Sequence, residues 1–422
     1  PRANANPGPY AVYPWYDTSG RGNNANITDS RFRATDGGYF TFDGTGDYLT
    51  VPSTTDFAFG TGDFTVEYWV KTGSVPGGTD YGYFAGGTSP GSVSTVDRVD
   101  YSNDTPTATA KGPLSLARTG LAGTGNINYG YFAGGLTPAP ATVSTVDRVD
   151  YSSDTSTASP KGPLSFVRYN VAATGNTSYG YVGAGSPQPG GGGSGPYSTI
   201  DRIDYSNDTA TASPKGPLTQ SKNRVAATGN TSYGYFGGGY VPSVPTTSKS
   251  LVNRVDYSND TATAAEKGPL SVQRFGLAAT GNASYGYFGG GSSPSRVSTV
   301  DRVDYANDTP TATEKGPLNS TITYLAATGN TSYGWFGGGY APGPPTTKST
   351  VDRIDYSNDT ATAAAKGPLT VIRRYLGAAS PRANALPTTT NITAANIINP
   401  DSEKNSVGTN YWSHRYDTTF DW

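Results

Sequence analysis

The sequence predicts an all-β protein whose main part is a six-bladed β-propeller. Three observations support this prediction. The composition is rich in turn residues, with 56 Gly and 31 Pro among 422 residues. The same motifs recur six times at intervals of about 50 residues. Each copy contains four short segments with the character of β-strands, and four strands are the content of one propeller blade.

Two strands of the repeat are marked by strongly patterned blocks. The first block, Tyr-Gly-Tyr-Phe-Ala-Gly-Gly in the first copy, reads as a short aromatic strand that glycines end. The second block, Val-Asp-Arg-Val-Asp-Tyr, reads as a strand that leads into an Asp-Tyr-Ser-Asn-Asp turn. The six copies begin at Tyr81, Tyr129, Tyr179, Tyr233, Tyr285 and Tyr333.

Two weaker strands complete the unit and predict how the ring closes. Thr-Ala-Thr-Ala precedes a sharp Lys-Gly-Pro-Leu connection, and Leu-Ala-Ala-Thr-Gly-Asn follows it. The last repeat retains this final strand at residues 376–380, whereas the first repeat opens at Tyr81 without one. We therefore predict that residues 376–380 pair with residues 81–87, since closure removes exposed sheet edges. The predicted propeller spans residues 76–380.

The repeat resembles the kelch family in its glycine doublet (Gly86-Gly87), its Val-Asp-Arg-Val-Asp strand (residues 96–100) and its Pro113-Leu114 connection. A basic residue, Arg118 in the first copy, follows that connection. The third strand carries Thr and Ala where kelch repeats usually have Trp. The resemblance implies kelch-like blades. The residues equivalent to Arg118 are Arg168, Lys222, Arg274, Ile322 and Arg373.

The amino-acid sequences of the repeats also resemble those of a narrower group of proteins. Runs such as Ser-Thr-Val-Asp-Arg-Ile-Asp-Tyr-Ser-Asn-Asp-Thr-Ala-Thr-Ala and Leu-Ala-Ala-Thr-Gly-Asn-Thr-Ser look like repeat proteins of tailed phages of marine cyanobacteria. Those proteins are regarded as virion structural or fibre-like proteins. The resemblance implies a tail fibre or appendage on the particle surface. Its partners would be other virion proteins and further copies of itself, as in a trimer.

The loops that follow the glycines vary in length and predict a recognition surface. They cover residues 88–95, 136–145, 186–199, 240–251, 292–299 and 340–350, and they should emerge on one face. Three of them carry extra aromatic residues, Tyr197, Tyr240 and Tyr340, which are the candidate ligand-binding residues. Loops on a rigid scaffold often carry function, and aromatic side chains suit recognition of a host-surface polysaccharide or protein. The alternative is neutral variation in exposed loops.

The flanks predict a second, smaller β segment. Residues 1–75 form the first predicted domain, and within it residues 39–71 resemble the opening of a laminin-G or concanavalin-like lectin jelly roll. Alternation over residues 64–71 is typical of a half-buried strand. The tail, residues 381–422, is rich in aromatic side chains and is expected to dock or to complete the N-terminal segment. Its candidate attachment residues are Tyr411, Trp412 and Trp422.

Composition excludes several kinds of chemistry. The chain has no Cys and one His, His414, which excludes thiolate chemistry and multi-histidine metal sites. The net charge of −2 does not favour nucleic acid or an anionic membrane, and no apolar run could span a bilayer. Asp100-x-Ser102-x-Asp104 lacks the later calcium ligands, so a capped turn is expected. The strand arginine lies between two aspartates in five of the six copies, which predicts pairs across neighbouring strands.

Three functional hypotheses remain at this point. The first is a non-enzymatic virion protein, without metal or cofactor, whose propeller loops recognise a host surface or glycan. The second is an architectural subunit that decorates a capsid or tail without binding a ligand. The third is a depolymerase of envelope polysaccharide, which would need a pair of carboxylates. No such pair stands out from the repeat background.

Overall fold

A computed structural model describes residues 80–139, 141–187, 196–242 and 247–381, and the backbone of five short strands nearer the N-terminus. Contacts divide the chain into a unit of residues 72–391 and a unit of residues 1–71 and 392–422. In the smaller unit the described strands form an antiparallel three-stranded sheet and a separate hairpin. These strands are Tyr13–Trp15, Ala25–Thr28, Arg31–Arg33, Tyr39–Thr41 and Tyr48–Thr50.

The lectin-like nature of residues 1–75 and the domain boundaries stay predictions. The tail residues Tyr411, Trp412 and Trp422 lie outside the described residues.

The larger unit is a six-bladed β-propeller, as predicted, and its arrangement is consistent with kelch-like repeats. Each blade is a four-stranded antiparallel sheet. We call its strands inner, second, third and outer, counting from the propeller axis. The inner strands are Gly377–Ala379, Ala122–Gly125, Ala172–Gly175, Ala226–Gly229, Ala278–Gly281 and Ala326–Gly329. The second strands are Tyr81–Ala85, Tyr129–Ala133, Tyr179–Gly183, Tyr233–Gly237, Tyr285–Gly289 and Tyr333–Gly337.

The two strands farther from the axis are the third and outer strands. The third strands are Val96–Asp100, Val146–Asp150, Ile200–Asp204, Val252–Asp256, Val300–Asp304 and Val351–Asp355. The outer strands are Thr109–Lys111, Ser159–Lys161, Ser213–Lys215, Ala265–Lys267, Thr313–Lys315 and Ala364–Lys366. The outer strand therefore begins later than we predicted from the Thr-Ala-Thr-Ala segment. It pairs only where it faces the first half of the third strand, with Lys111 opposite Val96.

Three loops add short hairpins, and four blades have a turn of 3-10 helix after the third strand. The hairpins are Thr88–Ser89 with Gly91–Ser92, Tyr240–Val241 with Thr247–Ser248, and Ser292–Ser293 with Ser295–Arg296. The helical turns are Tyr151–Ser153, Tyr205–Asn207, Tyr257–Asn259 and Tyr356–Asn358.

The ring closes through a strand from the end of the propeller, and this prediction is confirmed. Gly377–Ala379 pairs antiparallel with Tyr81–Ala85, with Ala378 opposite Phe84. The first blade thus takes three strands from its own repeat and one from the last repeat. Every other inner strand likewise follows the preceding repeat's connection.

Small residues are required where the inner strands converge. A Cβ atom at Gly123 would overlap the backbone carbonyl of Ala378 on the neighbouring inner strand. The channel between the inner strands holds about 20 Å³, with Thr124, Thr280 and Thr328 among the residues along it. That volume is close to the space of one water molecule. A ligand must therefore bind outside the channel.

The core lies between adjacent blades, because both faces of every sheet are covered. The second strand buries consecutive aromatic residues, Tyr83 and Phe84, on opposite faces. Tyr83 stacks on Tyr151 of the next blade with 4.8 Å between ring centroids. The equivalent stacked pairs are Tyr131–Tyr205, Tyr181–Tyr257, Tyr235–Tyr305, Tyr287–Tyr356 and Trp335–Tyr101.

An ion cluster also joins each pair of blades. Asp154, at the end of one turn, accepts hydrogen bonds from the Tyr83 hydroxyl at 2.9 Å and from Arg98 at 2.8 Å, and it pairs with Lys111. The expected pairing of the strand arginine with aspartates on neighbouring strands is therefore wrong, because the turn of the next blade supplies the carboxylate. Asp100 instead caps its own turn by accepting from the Ser102 N–H and hydroxyl, as predicted.

Candidate functional site

The six variable loops share one face of the propeller, which we call the loop face. Each loop begins at the same end of its blade, beside a residue that lies just before an inner strand. Tyr340, for example, exchanges two backbone hydrogen bonds with Thr323, at 3.0 and 2.7 Å. The other pairs are Thr88–Arg374, Leu136–Thr119, Ser186–Tyr169, Tyr240–Asn223 and Ser292–Phe275.

The next residue of each repeat belongs to a closed ring of backbone hydrogen bonds around the axis. Each N–H group of this axial ring donates to the carbonyl of the preceding member, at 2.6–3.1 Å. All six members have positive φ, between 53° and 69°. The members are Gly120, Asn170, Arg224, Gly276, Tyr324 and Tyr375.

Four of the six members of the axial ring are not glycine. For an L-residue the left-handed conformation costs about 1–2 kcal/mol relative to the right-handed one. Side chains that persist in such strained positions often mark functional sites. In four repeats the axial ring therefore carries a side chain at the centre of the loop face. Each of these side chains costs conformational free energy.

Two of those side chains, Tyr324 and Tyr375, belong to a continuous cluster of aromatic rings. Tyr324 stacks on Tyr375 at 4.0 Å between centroids, and Phe275 lies 6.2 Å from Tyr324. Tyr240 meets Phe275 edge-on at 5.3 Å. The guanidinium of Arg224 lies 5.5–5.6 Å from the rings of Tyr240, Phe275 and Tyr324, within the range of cation–π attraction.

A cavity of about 570 Å³ opens beside this cluster, between the loops of the last two blades. Ligand sites typically have volumes of about 300–1,000 Å³. Its lining combines aromatic rings, hydroxyl groups and one guanidinium. The lining residues are Ser292, Pro294, Ser295, Arg296, Thr321, Thr323, Tyr324, Tyr340 and Pro342.

Two guanidinium groups lie over Tyr340, one of the two tyrosines that line the cavity. Arg296 is 4.1 Å from the centroid of the Tyr340 ring, and Arg374 is 4.8 Å from it. Arg374 also lies 5.8 Å from the Tyr375 ring. Burial raises the pKa of Tyr375, while Arg224 and Arg374 act in the opposite direction. At neutral pH its hydroxyl is therefore uncharged and can both donate and accept hydrogen bonds.

The cavity can hold and orient a polar ligand that also has an apolar face. A sugar ring has such surfaces, because its C–H groups pack on aromatic rings and its hydroxyls exchange hydrogen bonds with serine and threonine. The nine lining residues include no carboxylate. The cavity therefore lacks the acid pair that glycoside hydrolysis requires.

The three tyrosines predicted from sequence are not brought together. Tyr340 lines the cavity, and Tyr240 belongs to the adjacent aromatic cluster. Tyr197 lies elsewhere on the loop face, 5.5 Å from the Phe166 ring. Its loop position is equivalent to that of Lys249 and Lys348 in other repeats. In all three, the backbone N–H donates to the carbonyl of the second glycine-doublet position at the start of the loop.

Sequence reasoning missed Arg224, Arg296, Arg374 and Tyr324. Length variation directed attention to the loops, where only tyrosines were selected and Arg296 was passed over. Arg224, Tyr324 and Arg374 lie instead in segments of constant length before the inner strands. A signal was nevertheless present, because two adjacent residues of each segment change identity from repeat to repeat while the inner strand that follows barely changes. The pairs that vary are Thr119-Gly120, Tyr169-Asn170, Asn223-Arg224, Phe275-Gly276, Thr323-Tyr324 and Arg374-Tyr375.

Within the described part of the chain, no three acidic or histidine side chains converge as metal ligands would. No helix among the same residues has the length and apolar character to cross a membrane. The sequence matches no protein-family model, and a search of curated proteins found no matching relative.

Proposed function

We propose that this chain is a non-enzymatic recognition protein of a phage particle, a tail fibre or appendage, whose propeller binds a host-surface saccharide on its loop face. The observation that carries the binding part is the cavity beside Tyr340, with its aromatic and hydroxyl lining. The particle assignment rests on the resemblance of the repeats to virion proteins. Other virion proteins and the host-surface saccharide would be the partners.

The distribution of variation supports recognition over neutral drift. Neutral drift would change residues in each exposed loop independently, since such loops tolerate change at little cost in stability. Here variation also reaches Arg224, Tyr324 and Tyr375, which are held in a strained backbone conformation at the centre of the face. Retaining large side chains at these positions opposes stability, so an advantage in binding explains them better.

An architectural role is the second candidate, and one observation favours it. The connections that lead into the inner strands expose apolar side chains, with 37–44% of each accessible. Such groups could pack against a neighbouring virion subunit. They are Leu116, Phe166, Val167, Val272, Val371 and Ile372.

Binding is tested by screening the full-length chain against immobilised saccharides, with Tyr340→Ala as the test variant. We expect this substitution to weaken binding by about tenfold or more, because it removes one of the two aromatic rings that line the cavity. Tyr197→Ala is the matched control, since it removes another loop-face tyrosine outside the cavity, and it should bind like the parent. Equal losses in both variants, or no saccharide bound by the parent, would refute a binding site in this cavity.

The particle assignment is tested by immunogold labelling of intact phages with an antibody against residues 81–380. Label on distal fibres or the tail tip agrees with recognition, and label over capsid or sheath favours the architectural role. Particles that carry no label would remove the virion assignment. Release of reducing ends from a bound polysaccharide would instead indicate a depolymerase.

A further inference from the structure

We propose that the saccharide bound on the loop face is acidic, and that Arg224, Arg296 and Arg374 hold its sulfate or carboxylate groups. We call these three residues the arginine patch. This inference rests on the proposed binding function and adds the chemical class of the ligand. Four steps lead to it: the arginines share one site, they lack counter-charges, their donors are free, and the surrounding segments contain no acid.

The three arginines border one another through shared aromatic rings. Arg296 and Arg374 both contact the Tyr340 ring, at 4.1 and 4.8 Å. Arg224 lies 5.6 Å from the Tyr324 ring, which stacks on Tyr375, and Arg374 lies 5.8 Å from the Tyr375 ring. Arg296 itself lines the cavity. A ligand in the cavity therefore contacts Arg296 directly, and Arg374 and Arg224 border the cavity through the rings of Tyr340 and Tyr324.

The patch has no internal counter-charge. Among residues 80–381 as the structure describes them, the other arginines form salt bridges with aspartates, as in the Arg98–Asp154 and Arg373–Asp97 pairs. Neither an aspartate nor a glutamate pairs with any member of the patch in that set. A guanidinium that remains charged at all accessible pH values is thus left with its charge uncompensated.

Hydrogen-bond donors of the patch are also unused. Among the described residues, no hydrogen bond joins a guanidinium group of the patch to a protein acceptor. The Nε atoms of Arg224 and Arg374 are buried without a partner, as are those of five salt-bridged arginines, so the terminal N–H groups are the donors that set the patch apart. Cation–π contacts occupy the flat faces of the guanidinium groups and leave their N–H edges available. Carboxylate and sulfate oxygens are the acceptors that such edges bind most strongly, through charge-assisted hydrogen bonds.

The whole loop face is built from segments without acidic residues, although the chain has a net charge of −2. None of the six loops contains Asp or Glu, and neither do the six segments that lead into the inner strands. Those segments cover residues 115–120, 165–170, 219–224, 271–276, 319–324 and 370–375. Acidic residues of the described propeller lie in the third and outer strands, in the turns and at Asp80. Five buried third-strand aspartates do contact these segments: four pair with an arginine there, and Asp352 accepts hydrogen bonds from Asn319. The net charge of the chain is close to zero, but the loop face is basic and attracts anions.

An acidic saccharide fits this site better than nucleic acid does. Single-stranded nucleic acid needs successive free aromatic faces along a basic groove. The rings here form one packed cluster beside a single cavity, with Tyr324 stacked on Tyr375, and not a row of faces along a groove. What remains open is a single cavity with hydroxyl groups and cationic edges.

The experiment measures binding of the full-length chain to dextran, dextran sulfate and polygalacturonate at several salt concentrations. Dextran is uncharged, and the other two carry sulfate and carboxylate groups respectively. We expect at least one acidic polymer to bind more tightly than dextran, and its binding to weaken as salt screens the charges. Whichever polymer binds more tightly identifies the preferred anionic group.

Variants of the patch can be chosen from residues that the repeats already use. Arg224→Gly matches Gly120 and Gly276, and Arg374→Thr matches Thr119 and Thr323, so both should fold. Each should weaken binding to the acidic polymer by about tenfold, the effect of losing one charge-assisted hydrogen bond. Each should also reduce the dependence on salt. Arg374→Lys should retain part of the affinity because it keeps the charge.

Added negative charge supplies a second test with a matched control. Thr321→Glu places a carboxylate at an exposed position of the cavity lining and should abolish acidic-polymer binding. Thr211→Glu makes the same change at an exposed position beyond the other end of a third strand, and it should have little effect.

The outcomes separate the two proposals. Equal binding of dextran and acidic polymers, unaffected by the patch variants, overturns the inference but leaves saccharide recognition intact. No binding to any saccharide overturns the proposed function itself. Tighter binding of single-stranded DNA than of either acidic polymer overturns the choice of ligand class.

Discussion

At the scale of single residues, two of the six repeats lack a buried arginine–aspartate pair that the other four have. Four repeats bury an arginine against an aspartate of the third strand, at 2.7–3.0 Å, with both side chains fully enclosed. One repeat has Lys222 with Asn253 instead, and another has Ile322 with Asp352. Burial lowers the pKa of Lys222 to about 7, although Glu266 acts in the opposite direction, and burial raises the pKa of Asp352. The regular pairs are Arg118–Asp147, Arg168–Asp201, Arg274–Asp301 and Arg373–Asp97.

Lys222 makes stability depend on pH. Its pKa is about 7 in the folded protein and 10.5 in the unfolded chain, so between these values the unfolded state binds more protons. The free energy of unfolding should therefore rise with pH from about 7 to 9.5, by at most about 1.4 kcal/mol per pH unit. Lys222→Met should remove this rise, as measured by denaturant unfolding at several pH values.

Two further variants identify the cause of that pH dependence. Asn253→Asp restores the carboxylate found in other blades, so it should raise the pKa of Lys222 and also flatten the profile. Lys249→Met removes a partly exposed lysine of the neighbouring loop and should leave the profile unchanged. A Lys222→Met profile as steep as that of the parent would show that another group titrates. Above about pH 10, the raised pKa values of buried tyrosines lower stability in every variant.

At the scale of elements, the Lys-Gly-Pro-Leu connection fixes how one blade sits on the next. The N–H of Gly216 donates to the Asp260 carbonyl in the turn of the next blade at 2.8 Å. A Cβ atom at Gly216 would overlap the backbone carbonyl of Ala262 in that turn. The glycine of this connection is therefore needed for close approach of two backbones. The same overlap occurs at Gly112, Gly162, Gly268, Gly316 and Gly367.

Gly216→Ala should accordingly destabilise the propeller by about 3 kcal/mol, the upper range for overpacking, since a backbone cannot yield as a side chain does. Gly91→Ala is the control, because no atom lies within 4 Å of its added Cβ. That variant should unfold within about 0.5 kcal/mol of the parent. Thermal or denaturant unfolding gives the comparison, and similar stabilities for the two variants would contradict the close approach.

At the scale of the whole molecule, closure joins the two ends of the propeller. The first blade lacks an inner strand without Gly377–Ala379, and Arg373 pairs with Asp97 across the same junction at 2.7 Å. The last-to-first cluster repeats the pattern of the others, with Trp335 and Arg353 on Asp104. The two ends are therefore held by strand pairing, a buried ion pair and an ion cluster.

Removal of the closing strand should open the ring. A chain that ends at Leu376 exposes the edge of Tyr81–Ala85, and it should aggregate or unfold at a clearly lower temperature. A chain that ends at Pro381 is the matched control, since it lacks the same tail but keeps the strand. Calorimetry and size-exclusion chromatography compare the two chains. Equal stability and equal elution would mean that closure does not depend on this strand.

The sequence by itself determined the repeat, the number of blades and the closing strand. These follow from local patterns, because strand periodicity and turn chemistry are properties of neighbouring residues. The spare segment at 376–380 could be counted without coordinates. Tyr340 was likewise found from its position in a variable loop.

Only the tertiary structure decided which residues meet across blades. Asp154 belongs to a different repeat from Tyr83 and Arg98, and sequence spacing alone offered nearer aspartates as partners. Arg224, Arg296 and Arg374 come from three separate repeats, and no local pattern links them. They converge because six equivalent positions are folded around one axis. Long-range convergence of this kind depends on the closed ring, and so the arginine patch became visible only in the folded molecule.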